Sequence, residues 1–576
     1  MSVEELQQTA CLVRVTGPDP KGVKVKDRAF YVTTDDGYTT LSASGILINR
    51  SKDQSSPKDL LVACSASLIA SFRELGEDGS SPKDKLIPRC NVDMCVGDGG
   101  GWHRLDLIKI ITIDGIRTAT ESLVGGSVRD VRGISIGSVA IFRATSFIEN
   151  VYIPTLEVFA SAKVRKGDKL MIISSPFGLV SPHVFQNSIT TGIVSNVVPF
   201  ERMRKNKDFP PALLLTDARC LPGSEGAPAF DSKGRIIGIV APTLHRGEKF
   251  SLELGAIIPI DLFADALDLE IDGQNPLKNN MMNPTAVIEK ESGLISSPHS
   301  SFSLAIRKCS SAVVLVRVRS AWGSGIVVSP YGHILTCAHL VRPFTQKGRN
   351  GALTLRLGTK IMVSLRDAGS NPEFQCEADL LFCSQGAVDV ALLKMNVNFK
   401  TKAAKLPKTD EYVYEGQPCV ASGHAIFHPS SNLSCTVSAG VVSRVVSSLE
   451  KKDPALLQTS ASVFRGHSGG LLADHRGNFI GMLTSNAKHS NGDIIPTINF
   501  SIPVNVLRPL IDVCNKNEAD MDIVRSVYYS FDELDKELAA LWSLQVGGGP
   551  PTTPPHEIVQ EGSRFKDFLS KFSSKL

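Results

Sequence analysis

Three polar side chains, far apart in the chain, stand in surroundings that could make one of them a nucleophile. His339 lies in GHILTCAHLV, Asp389 in AVDVALLKM and Ser468 in FRGHSGGLL. Acyl transfer by a serine hydroxyl needs a base to take its proton, a carboxylate to hold the base's tautomer, and backbone N–H groups to receive the oxyanion. These residues supply that set, with the amides of Gly466 and Ser468 as the oxyanion donors. Glycine at 466, 469 and 470 lets the backbone turn tightly and leaves room for a peptide to approach. Singly, each motif is weak: a lone His or Asp is more often structural, and G-x-S-G-G is often only a turn. Their joint order and scale carry the signal.

The nucleophile loop has a partner earlier in the chain. GSEGAPAFDSKGRIIGIV (223–240) aligns without a gap on GHSGGLLADHRGNFIGML (466–483), which places Glu225 on Ser468. Around it, TTGIVSNVV (190–198) matches SAGVVSRVV (438–446), SVAIF (138–142) matches DVALL (389–393), and AIIPIDL (256–262) matches FSIPVNV (500–506). SASGILI (42–48) echoes WGSGIVV (322–328) near the start of each half. Ser138 then stands for the aspartate, and LLVACSASLIAS (60–71) holds no histidine for the base. The first half cannot run the same chemistry. One carboxylate without a placed partner is expected to be a solvated or salt-bridged loop residue, and the half itself to serve packing, peptide docking or restraint of the other.

These catalytic candidates must be held by strands. Short runs of Val, Ile and Leu, closed by Gly, Asp-x-x-Gly and Pro turns, read as an antiparallel all-β fold built twice. At 576 residues, with 42% hydrophobic and 21% charged residues, the chain is ordinary for folded domains. The expected division is a degenerate first domain over 1–271, a linker over 272–301, an active domain over 302–515, a helical extension over 516–546 and a flexible tail over 547–576. Within the extension, SFDELDKELAALWSLQV (530–546) has apolar residues at helical spacing.

The net charge of +4 is nearly balanced, and RMRKNK (202–207) lacks neighbouring aromatics, so no nucleic-acid partner is expected. No apolar run reaches the ~20 residues of a membrane span. The opening MSVEELQQTACL lacks a basic-then-apolar build, so synthesis and folding in the cytosol are expected. The 12 cysteines are scattered and read as core thiols. Cys90, Cys95 and His103 match no common zinc pattern, so neither metal nor other cofactor is expected.

Residues 303–512 resemble the trypsin-like protease domain of the Deg/HtrA class, with INFSIPVNVLRPL (498–510) as the strand after the catalytic loop. The resemblance implies tandem chymotrypsin-fold double β-barrels. It assigns the specificity pocket to Ser462 at its base and Met482, Leu483, Thr484, Ser485 and Asn486 on one wall. No carboxylate waits there, so a small or medium uncharged side chain is preferred over Lys or Arg. His467 stands where secreted trypsins place the aspartate that captures a new N-terminus, so it is expected to support the loop instead. The stretch after Asp512 is too short for the PDZ domain that many of these proteins carry, so peptide recognition is expected elsewhere, the first half included.

The chain ends in Ser574, Lys575 and Leu576, a receptor-read address for the peroxisomal matrix, held off the globule by VGGGPPTTPPHE (546–557). With the triad and the degenerate half, this resembles the peroxisomal leader-peptide-processing proteases, also called trypsin-domain-containing or glyoxysomal processing proteases. That resemblance implies an endopeptidase removing N-terminal type 2 targeting leaders from imported matrix precursors, often beside a cysteine, and processing itself. It implies the import receptor as a partner, and relatives of the Deg/HtrA class suggest a homo-oligomer. The glycine-rich CNVDMCVGDGGGWHR (90–104) offers a protease-accessible stretch, with self-cleavage expected near Cys95. A general quality-control protease and a non-catalytic peptide-binding chaperone are the alternatives.

Overall fold

The computed structural model describes residues 1–20, 30–33, 37–49, 60–75, 82–96, 101–128, 134–146, 152–179, 185–200, 209–243, 245–246, 250–251, 254–269, 301–348, 353–365, 374–386, 388–408, 412–425, 434–447, 453–488 and 494–515. The expected linker up to residue 300, the helical extension, the tail and the terminal Ser574, Lys575 and Leu576 lie outside the described residues.

Four six-stranded antiparallel barrels follow one another, two in each half. Barrel A uses Ala10–Pro18, Tyr38–Asn49, Leu60–Ser65, Asn91–Cys95, Trp102–Thr112 and Ser138–Ala144. Barrel B uses Lys169–Ser174, Ser188–Val198, Leu213–Thr216, Pro228–Asp231, Ile236–Val240 and Gly255–Pro259. Barrel C uses Val313–Val318, Ala321–Val327, His333–Thr336, Ile361–Leu365, Phe374–Cys383 and Ala391–Met395. Barrel D uses Pro418–Gly423, Thr436–Ser447, Pro454–Thr459, Leu471–Asp474, Phe479–Lys488 and Ile494–Pro503. Each closes in the same order, with the sixth strand beside the third and the fourth beside the first. Barrel A carries one further strand, Phe30–Thr33, against Tyr38–Asn49. The fold is all-β and built twice, as the strand pattern and its repeat led one to expect, and each half is a trypsin-like double barrel, as the resemblance implied.

Why the strands are apolar at nearly every position follows from the period of two. Leu60, Val62 and Cys64 fill the interior of barrel A, while Leu61 and Ala63 turn outward into a layer shared with Ile236 and Ile239 of barrel B. Ile237 and Val240 fill barrel B itself. A strand with one face inside its barrel and the other against the next barrel has no wet side, so alternation with polar residues is lost. Barrels C and D repeat this, with Val314 and Val316 inside C, Cys419 and Leu472 inside D, and Leu335, Leu471 and Met482 in the layer between. The helix Val504–Asn515 seals that layer through Leu507, Leu510 and Ile511.

All 12 cysteines are free thiols. Burial pushes the thiols of Cys64, Cys90, Cys220, Cys309, Cys419 and Cys514 up to about 12. Among the described residues no helix is long and apolar enough to cross a membrane.

Candidate active site

Strand pairing brings the first two candidates together. Thr336, at the end of His333–Thr336, pairs with Ala391, so the helix Ala338–Val341 starts beside the residues just before Ala391. His339 Nδ1 and Asp389 Oδ2 are 2.6 Å apart, and the His339 backbone N–H donates to Asp389 Oδ1 at 2.8 Å. Thr484 Oγ1 donates to Asp389 Oδ2 at 2.9 Å. Burial works to raise the pKa of Asp389, but the hydrogen bonds and charge of His339 and the Thr484 hydroxyl outweigh it and hold the carboxyl below its ordinary value. Asp389 therefore stays ionised with its imidazole fixed. The side chains are 51% and 19% exposed for His339 and Asp389, so the imidazole's outer edge faces solvent while its anchor is covered.

Ser468 comes from a loop built against the other barrel of the same half. Its carbonyl accepts from Ser324 N at 2.8 Å, and Ser324 Oγ donates to the Gly466 carbonyl at 2.7 Å while accepting from His424 N at 2.7 Å. Gly466 has φ +99°, and a Cβ there would lie 2.2 Å from the Trp322 ring and 2.4 Å from the His424 carbonyl oxygen. Only glycine fits. The hydroxyl of Ser468 donates to the Thr484 carbonyl oxygen at 3.4 Å, a long contact, so Thr484 touches Asp389 through its side chain and Ser468 through its backbone. No hydrogen bond joins Ser468 to His339 among the described residues, and none occupies the amides of Gly466 and Ser468. His467 is fully buried; its Nδ1 accepts from Phe464 N at 2.9 Å, and burial lowers its pKa to about 4. It is a neutral brace for the turn, in keeping with the supporting role expected of it.

The same loop in the first half is wired alike and closed off. Ser44 N donates to the Glu225 carbonyl at 3.0 Å, and Ser44 Oγ donates to the Gly223 carbonyl at 2.7 Å. Gly223 and Gly226 have φ +98° and +85°, against +99° and +81° at Gly466 and Gly469. Glu225 is not the solvated or salt-bridged residue that a lone loop carboxylate suggests. It is 5% exposed, and its Oε2 accepts from Gly223 N at 2.8 Å. That amide is the counterpart of the Gly466 amide. Burial nonetheless raises its pKa to about 7. Strand register puts Ser67 where His339 stands and Ser138 where Asp389 stands; Ser67 bonds Ser65, and Ser138 bonds Ser135 and Thr112.

The expected pocket residues divide. Ser462 is partly buried, and its carbonyl accepts from Ser438 Oγ at 2.6 Å. Asn499 Nδ2 holds the carbonyls of Thr459 and Ala461 at 3.1 and 2.6 Å just before it. Met482 and Leu483 send their side chains into the C–D layer and the interior of barrel D. Thr484 and Ser485 follow, and Asn486 pairs with Asn499 in the strand ladder. Asn499 and Ser438 were missed by the sequence reading, although Ser438 opens a segment recognised as a repeat and Asn499 lies in the strand named after the catalytic loop. Cys95 is buried at the end of its strand, paired with Leu12 and Trp102, and its carbonyl accepts from Gln186; residues 97–100 lie outside the described residues.

Among the described residues, Cys337, His339 and Asp389 form the one group close enough to share a metal ion, with donor atoms within 4.8 Å. The His339–Asp389 pair already uses two of those atoms on each other, and the Cys337 thiol donates to the Leu483 carbonyl at 3.3 Å.

A family model described as a trypsin-like peptidase domain matches residues 106–239 and 323–482, together just over half of the chain. The peroxisomal leader peptide-processing protease of Homo sapiens is 29% identical over 405 residues, covering 68% of this chain and 62% of that protein. The Mus musculus protein of the same name is 27% identical over 404 residues with the same coverage. The match thus spans less than two thirds of those relatives' length. A probable periplasmic serine endoprotease, DegP-like, of Pseudomonas putida is 33% identical over 128 residues, 22% of this chain and 24% of that protein. A solved HtrA-type protease, AlgWS227A with tripeptide, is 25% identical with a TM-score of 0.28, covering 36% of this chain and 62% of that one.

Proposed function

Because this chain belongs to the trypsin-like peptidases, we propose that it is a serine endopeptidase in which Ser468 attacks, His339 is the general base and Asp389 orients it. The observation that carries the reading is the ionised Asp389 locked onto His339, joined through Thr484 to a serine whose two neighbouring loop amides are free of partners among the described residues. With a peptide bound, a turn of the Ser468 side chain away from Thr484 would bring its Oγ to the imidazole, since such contacts often tighten only with substrate. His339 Nε2 takes the hydroxyl proton as the oxygen adds to the peptide carbonyl. The oxyanion enters between the Gly466 and Ser468 amides, worth on the order of 3–4 kcal/mol per donor in enzymes of this kind. The imidazolium then protonates the leaving amine, and water repeats the sequence to release the acid.

For substrate and place, the names of the human and mouse relatives, peroxisomal leader peptide-processing protease, support a leader peptide and the peroxisome, and the proposed reaction is removal of N-terminal leaders from matrix precursors. The import receptor is the proposed partner, and it would read Ser574, Lys575 and Leu576 wherever they form a free carboxyl terminus. The expected units 1–271 and 302–515 would act as a degenerate and a hydrolytic domain, with an uncharged pocket over Ser462 and assembly into a homo-oligomer.

The test is incubation of a leader-bearing precursor with the purified protein, beside a Ser468→Ala control, followed by N-terminal sequencing. One new terminus supports processing, a ladder of termini supports the general degradative reading, and an untouched precursor with no fluorophosphonate label on Ser468 sinks the hydrolase.

A further inference from the structure

The two halves meet barrel against barrel, along Ser188–Val198 of barrel B and Thr436–Ser447 of barrel D. Ile193, Val420, Val437 and Ala439 form a small apolar cluster there with Ile306. Lys166 Nζ donates to Ser434 Oγ at 2.8 Å and to the Cys435 carbonyl, and Asn196 Nδ2 donates to the Ser434 carbonyl at 3.0 Å. Phe464, four positions before Ser468, packs into the core layer of the first half. The degenerate half therefore touches the loop that carries the nucleophile.

One contact breaks the internal symmetry. Asp217 Oδ1 accepts from Ile193 N in its own half at 2.7 Å, and Asp217 Oδ2 accepts from Ala439 N of the other half at 2.7 Å. The gap-free alignment that places Glu225 on Ser468 also places Asp217 on Ser460. Ser460 Oγ accepts from Val441 N at 3.0 Å, the counterpart of Ile193 N. The own-half cap is common to both copies, and a hydroxyl suffices for it. The second carboxylate oxygen at 217 serves only the contact across the interface. Burial pushes this carboxyl up to about 6 in spite of the two amides, so holding it there is a cost that a serine would avoid.

Ala439 is a telling place to be held. Its neighbour Ser438 donates to the carbonyl of Ser462, the expected base of the specificity pocket. Its other neighbour, Gly440, lies so close to the same stretch that a Cβ would sit 2.3 Å from Ala461 N. Asp217, Ala439, Gly440, Ser460, Ser462 and Thr497 all line one groove of about 790 Å³ between the halves.

We propose that Asp217 is a positioning residue through which the degenerate half sets the floor of the hydrolytic half's specificity pocket, by fixing the backbone of Ala439 and so the Ser438–Ser462 contact. The proposal rests on the endopeptidase reading for its effect on peptides, but its structural core, the coupling of 217 to 436–441 and 459–463, stands apart from that reading.

The test is Asp217→Ser in the full chain, which copies the second half by keeping a cap for Ile193 and deleting only the bond across the interface. Asp217→Asn is the second variant should the first fail to fold. Three readouts are compared with wild type: kcat and KM on peptides differing in the residue before the cut, the rate of Ser468 labelling by a small fluorophosphonate, and hydrogen exchange at 436–441 and 459–463. The expected result is a KM raised about tenfold, a flattened ranking of the peptides, labelling within about twofold of wild type, and faster exchange in both segments. Unchanged KM, ranking and exchange overturn the proposal. So does an equal fall in labelling and kcat at constant KM, which would mean a general loosening of the catalytic groups. If the wild type neither cuts peptides nor takes the label, the endopeptidase reading has failed, and the exchange rates alone then decide whether Asp217 couples the halves.

Discussion

The loops at 223–226 and 466–469 share a backbone and differ in what their amides face. In the second half the proposed nucleophile is a short hydroxyl, and the amides of Gly466 and Ser468 are without partners among the described residues. In the first, a longer side chain bends back and its own carboxylate takes the Gly223 donor. A glutamate in this place is a resident oxygen acceptor in a cavity made for a transient anion. The difference teaches that a loop of this shape without a serine need not leave a gap: the Gly223 amide, which would be stranded in a buried loop, is satisfied by the side chain at 225, which preserves the loop and hence the barrel packing beneath it.

The comparison can be broken most severely at the nucleophile. Ser468→Ala should reduce hydrolysis of a precursor about 10⁵–10⁶-fold while leaving the fold intact, as read by single-turnover kinetics and thermal unfolding. Survival of activity would move the chemistry elsewhere. Asp389→Asn should cost about 10⁴-fold in kcat, because an amide in place of the carboxylate favours the wrong imidazole tautomer; a loss under tenfold would show that the 2.6 Å contact to His339 does not set that tautomer.

A smaller effect sharpens the other side. The raised pKa of Glu225 means that between about pH 4.5 and 7 the folded chain holds a proton the unfolded chain has released. Its contribution to stability is therefore fully present below about 4.5 and is lost as pH rises through about 7. Relative to wild type, Glu225→Gln should gain on the order of 1–3 kcal/mol between pH 5 and pH 8, measured by urea unfolding at each pH. An identical difference at both would show that this carboxylate is not held against its own charge. The least change is expected from Glu225→Ser in a Ser468→Ala background. With Ser67 and Ser138 at the other two places, no fluorophosphonate label should enter the first half, and its appearance would mean that a base is supplied from outside those positions.

Much of this was legible in the residues. Barrel strands show as Val- and Ile-rich runs, and the duplication shows because turn glycines recur at matched places where positive φ or close backbone approach demands them, as at Gly223 and Gly466. The His339–Asp389 pair was legible from the joint order and scale of the motifs, and the antiparallel pairing of Thr336 with Ala391 is what brings the two together. The fate of Glu225 was not legible: a carboxylate beside glycines looks solvated, and only the closed loop reveals the Gly223 amide waiting beneath it. Nor were the assignments of Met482 and Leu483, whose side chains enter two different cores because adjacent strand positions face opposite ways. Asp217 was hidden for a further reason. Its second partner, Ala439, donates through the backbone, which no side-chain pattern records.

The protonation of the buried thiols has a chemical consequence. Peroxide reacts with thiolate, and a group with a pKa of about 12 is ionised to only about one part in ten thousand at pH 8. Cys64, Cys309 and Cys419, sealed inside the barrels or between them, should then outlast exposure to hydrogen peroxide without forming sulfenic acids. In the organelle proposed, these three thiols would age slowly because their sulfur is kept as the wrong acid–base partner for the oxidant.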